Sequence, residues 1–150
     1  MTQRFICNGM LGKLSRLLRM VGIDAAFSNE GMTILLDARK EGRVIVTRNT
    51  RLRGRKGVFF VDMAHPVRQL RELVDAYDLW DAMKPFSRCI LCNEALSPVD
   101  KETVKGKVPF FTYLHFDEYA QCGRCGRFYW KGSHYRRMMS EVARALDKNE

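Results

Sequence analysis

Four of the five cysteines in this 150-residue chain come as two pairs, Cys89-Ile-Leu-Cys92 and Cys122-Gly-Arg-Cys125. A C-x2-C pair on a tight turn points both sulfurs to one side, and a second pair completes a tetrahedral shell of four thiolates for Zn2+. Disulfides and a redox pair are the rivals. A cytosolic chain argues against the first, and neither pair sits in a βαβ context that would support the second. A closed four-sulfur shell leaves no position for substrate. Cys89, Cys92, Cys122 and Cys125 are therefore expected to hold a structural zinc that lets a small module fold. Asn93 and Gly126, directly after the pairs, suit the turns of such knuckles. Cys7 stands apart and reads as a small buried hydrophobe.

The second stretch with chemistry is VIVTRNTRLRGR, residues 44–55. Val44, Ile45 and Val46 are apolar without alternation, as in a parallel strand covered on both faces. Ligand sites in open α/β sheets gather at the carboxyl ends of such strands, where Thr47, Arg48 and Asn49 fall. Arg48, Arg51, Arg53, Arg55 and Lys56 then offer cations to phosphate, and Arg can do so bidentately. Lys13, Arg16 and Arg19, spaced by three, make a basic stripe continuous with that loop, or an ordinary solvated helix face. In FYWKGSHYRR, residues 128–137, aromatics and cations are mixed as on surfaces that bind single-stranded RNA. Lys131, His134, Arg136 and Arg137 are the contact candidates there, while Trp130 is expected to pack.

Alternating short strands and helices must position these groups. RFIC at 4–7, Asp24 to Phe27, residues 43–47 and GVFFVD at 57–62 read as strands. Between them, 10–22 places Leu11, Leu14, Leu18 and Val21 at helical spacing, and 32–42 is a second helix stopped by Gly42. Residues 65–83 read as a third, with Pro66 in its first turn. This order predicts an α/β layer fold on a parallel sheet. Lys84 and Pro85 break it, so 1–86 is expected to form the α/β domain and 87–150 a zinc ribbon with a C-terminal helix. FFTYLHFDEY, residues 110–119, is expected to be partly buried against the ribbon's own strands or the seam, a partner protein surface being the alternative.

The net charge of +9 makes a polyanion the expected partner. The excess lies before residue 89, where 16 Lys and Arg face 9 Asp and Glu, against 10 and 8 afterwards. No apolar run is long enough to span a membrane and no signal peptide opens the chain, which predicts a cytoplasmic protein.

Three segments, RFICNGMLGKLSRLLRMVGID, EGRVIVTRNTRL, and SRCILCNEAL with CGRCGRFYWKGSHYRRM, together resemble the PIN-like ribonuclease domain at the carboxyl end of the Mut-seven exonucleases, with its fused zinc ribbon. The resemblance implies a three-layer PIN-like domain and RNA cleavage by Mg2+ or Mn2+ held on clustered carboxylates. Here it departs from its own pattern: Asn8 and Asn49 stand where the family has Asp, and Gly31, beside Glu30, stands at the third acid. An amide brings no charge to a hard cation, so the metal site should be gravely weakened. Asp-to-Asn pairs are also installed by experimenters, but a glycine at the third position favours natural decay.

The expectation is an RNA-binding protein with a degraded site at Asn8, Glu30 and Asn49, contacting structured RNA such as tRNA, rRNA or the ribosome. An endoribonuclease with a reduced metal site using Glu30 or Asp62 is the alternative. A scaffold docked on a ribonucleoprotein is a third reading. Restoring Asp at 8 and 49 should raise nuclease activity if the pocket is otherwise intact.

Overall fold

The computed structural model describes residues 2–147. Four strands, β1 (Phe5–Asn8), β2 (Ala25–Ser28), β3 (Val44–Thr47) and β4 (Val58–Phe60), form a parallel sheet in the order β2-β1-β3-β4. Both faces are apolar and the side chains alternate between them. Phe5, Cys7, Val46 and Phe59 face one cluster with α1 (Gly12–Met20) and α3 (Pro66–Tyr77). Ile6, Ile45 and Val58 face a second with α2 (Ile34–Glu41). The expected α/β layer fold is what forms, and the unbroken apolar run of β3 follows from its cover on both sides.

Two ends are set by left-handed residues. Gly42, at φ 67°, closes α2 where the sequence placed its stop. Helix α3 ends at Tyr77, short of the expected residue 83. Asp78 turns left-handed at φ 51°, and the amide of Leu79 folds back onto the carbonyl of Val74. Leu79 is buried, so the apolar spacing runs on past the last helical turn.

The second sheet is antiparallel, β5 (Leu96–Val99), β6 (Tyr119–Cys122) and β7 (Phe128–Tyr129). Two short helices, α4 (Lys101–Val104) and α5 (Phe110–His115), join β5 to β6. The aromatic stretch is buried in part: Tyr119 is buried and Phe116 half-buried, whereas Phe110 and Phe111 are exposed because so short a helix turns only Thr112 and Tyr113 inward. The last helix, α6 (Ser133–Ala145), returns to α3 and buries Val142 in the first cluster.

The first cysteine turn is bonded to the sheet. Asn93 accepts from the Ala25 amide and donates to Asp24, which also accepts from Arg43, each donor 2.6 Å from the carboxylate oxygen. Arg19 donates to Ala25 and to the carbonyls of Ile90 and Leu91. Gly22, at φ 88°, lets this corner meet residue 84, where a Cβ would strike the Lys84 carbonyl.

Candidate functional site

The strand order puts the switch point between the carboxyl ends of β1 and β3, where open α/β sheets form their crevice. Asn8 ends β1 there. Its Nδ2 donates to the carbonyl of Glu30 at 3.0 Å and to that of Ser28 at 3.4 Å. Its Oδ1 accepts from the hydroxyl of Thr47 at 3.2 Å, and Thr47 in turn accepts from the amide of Asn49. Thr47 is fully buried, so this chain of bonds is anchored in the core. The Asn49 side chain turns back on its own loop and accepts from the Arg51 amide.

The nearby acids are engaged elsewhere. Glu30 accepts from the Thr33 hydroxyl at 2.8 Å and is exposed. Asp62, just after β4, pairs with Arg53 at 3.7 Å. Among the described residues, the four cysteines are the only group of three or more potential metal ligands that comes together. At the carboxyl ends of β1 and β3 an amide NH2, a donor, sits where two carbonyls converge, and no cluster of carboxylates joins it among the described residues.

The cations of the sheet domain divide into three places. Arg48 donates to the carbonyls of Val61, Asp62 and Met63 and ties β3 to the chain after β4. Arg51 and Arg53 stay exposed on the same loop, Arg53 lying over the Phe60 ring at 4.6 Å. A parallel connection must return to the opposite end of the strands, so Arg55 and Lys56 leave the crevice and line a cleft with Arg39 and Arg43 at the amino ends. Lys13 and Arg16 are exposed on α1, whereas Arg19 is taken up by the carbonyls that fix the cysteine turn.

Around the ribbon, Lys131 pairs with Glu118 at 3.4 Å and lies over Phe86. Arg136 lies over Phe116, while His134 and Arg137 are exposed on α6. Trp130 is half-buried and tilted across Tyr119.

The four cysteine sulfurs lie within 4.8 Å of one another. A tetrahedron with arms of about 2.3 Å has edges of about 3.8 Å, and the sulfurs of Cys89 and Cys125 are 3.8 Å apart. Asn93 and Gly126 are left-handed, at φ 65° and 77°, which curls each turn so that the Cys92 and Cys125 amides point at the first sulfur of their pair. Burial opposes ionisation of Cys89, but bonds from the Tyr129 hydroxyl and backbone amides bring its pKa down to about 7. The set fits one metal ion. Cys7 is the opposite case: burial pushes its thiol up to about 12, and it stays neutral.

The profile of the Mut7-C RNAse domain matches residues 3–142, nearly the whole chain. The chain belongs to that family. No curated protein and no solved structure matches it. Membership implies a ribonuclease-like or RNA-related function. In this Mut7-C RNAse domain, Asn8, Asn49 and the Glu30 backbone meet at the crevice, while the side chain of Glu30 points to Thr33. Arg88 and Arg127, which border a second cavity, were missed in the sequence. Their one signal was position, directly before the first cysteine pair and two residues after the second.

Proposed function

We propose that this Mut7-C RNAse domain binds structured RNA, tRNA or rRNA being the expected class, without hydrolysing it at the sheet edge. The observation that carries this reading is the Asn8 amide, which donates to the carbonyls of Ser28 and Glu30. A hard metal ion there would need anionic oxygen, and the amide supplies two hydrogens instead. The basic loop meanwhile persists, with Arg51, Arg53, Arg55 and Lys56 exposed to phosphate.

The ion held by Cys89, Cys92, Cys122 and Cys125 is zinc on this reading, because four thiolates suit a borderline-soft, tetrahedral cation and leave no open position. Residues 1–86 and 87–150 act as two modules joined by the cysteine turn, with α6 laid across the first. A cytoplasmic location fits thiolates that must stay reduced.

The test is binding of a folded tRNA over a salt series, with and without Mn2+. Steeply falling affinity with salt and intact RNA are expected. Mn2+-dependent cleavage by the wild-type chain would favour the endoribonuclease alternative, with Glu30 or Asp62 re-aimed. A flat salt response would favour protein docking instead.

A further inference from the structure

The seam between the sheet domain and the ribbon contains a cavity of ≈ 400 Å³, and we propose that it receives one unpaired nucleobase of an RNA strand. This deepens the RNA-binding reading and rests on it.

The walls are rings. Phe86 and Tyr135 meet edge to face at 5.8 Å, and Trp130 and Tyr129 close another side. Met20 of α1 and Ile90 of the first cysteine turn complete an apolar lining. The size lies at the lower end of the roughly 300–1,000 Å³ range of small-ligand pockets, enough for one base and too little for a duplex. A base held in a duplex keeps its faces stacked, so the occupant must be unpaired.

Charge selects a base that carries a phosphate over an aromatic side chain of a protein. No Asp or Glu lines the cavity, while Arg88 and Arg127 do. Arg88 gives one nitrogen to the Asn93 carbonyl. Arg127 is exposed, and its guanidinium has no hydrogen-bond or ion-pair partner among the described residues. A base stacked on the rings would bring its phosphate to these cations. His134, exposed at the same mouth, adds a donor, and the first turn of α6 carries no acid to repel the phosphate.

The first cysteine turn braces this pocket. The Tyr129 hydroxyl lies 2.9 Å from the Cys89 sulfur and accepts from the Ile90 amide at 3.1 Å, so one wall is fixed by the first cysteine turn. The ribbon on this view supplies a reading pocket as well as a fold.

Fluorescence anisotropy of a labelled hexauridylate, and of a blunt RNA duplex with as many phosphates, tests the proposal at physiological salt. Tyr135→Ala and Arg127→Ala should each weaken hexauridylate binding roughly ten-fold, the loss expected of one stacked base or its phosphate contact, and change duplex binding by less than about two-fold. Arg127→Ala alters an exposed side chain and remains decisive if Tyr135→Ala fails to fold. Hexauridylate binding unchanged in Arg127→Ala, or equal losses for both RNAs, overturns the pocket while leaving RNA binding in place. Duplex binding with no hexauridylate binding does the same. If neither RNA binds, the RNA-binding reading itself falls.

Discussion

Asn8 uses both amide hydrogens on backbone carbonyls and its oxygen on the Thr47 hydroxyl, so its hydrogen-bonding capacity at the end of β1 is nearly filled. A carboxylate in the same place would face two carbonyl oxygens with no proton to give them. Asn8→Asp is therefore expected to cost roughly 1–3 kcal/mol, read as a lower urea midpoint. It should leave RNA intact in Mn2+ even when combined with Asn49→Asp. That expectation rests on residue 49, whose side chain turns back on its own loop and accepts from the Arg51 amide. Cleavage by the double variant would show that the amides alone silence a complete site. Arg48 and Arg19 make a related point: each looks like a free cation in the sequence, yet each hands its guanidinium to carbonyls that only the folded chain brings near.

Between elements, the β2 corner and the first cysteine turn form the joint on which both sheets depend. Burial opposes ionisation of Asp24, but bonds from Arg43 and Asn93 outweigh it and hold the carboxyl below its usual range. Its stabilisation is thus full above the unfolded pKa of about 3.9 and is lost as pH falls through the lower folded value. Asp24→Asn should destabilise by roughly 1–3 kcal/mol at neutral pH, and the gap from wild type should narrow below about pH 4. Denaturant melts at both pH values check this; a gap independent of pH would put the loss down to packing. Gly22→Ala should be worse, since φ 88° and the Lys84 carbonyl both exclude a Cβ. A drop of at least about 2 kcal/mol is expected, measured by thermal melting. Most strands and helices were legible because each buries a periodic apolar face. The end of α3 was not, because the apolar spacing of Leu79 continues in a segment that is no longer helical.

For the whole molecule, removing the metal is expected to separate two stabilities. Stripping the ion with a strong chelator, or Cys122→Ser, should release amide-exchange protection in β5, β6 and β7 while β1 and β3 stay protected by their own two-sided core. Residue 25 in β2 should loosen with the ribbon, because Asn93 holds its amide. Loss of protection throughout would mean that the sheet cannot stand without the cysteine turn. By itself the sequence determined the strand and helix order of residues 1–86, the cysteine quartet, the excess of cations and the amides at 8 and 49, because local periodicity, ligand spacing and formal charge are properties of residues near in sequence. Only the tertiary structure decided which cations remain free, that the basic loop runs from the carboxyl ends of the strands to their amino ends, and that Phe86, Arg127 and Tyr135 share one cavity. Those outcomes depend on contacts between residues far apart in the chain, which pairing and packing alone bring together.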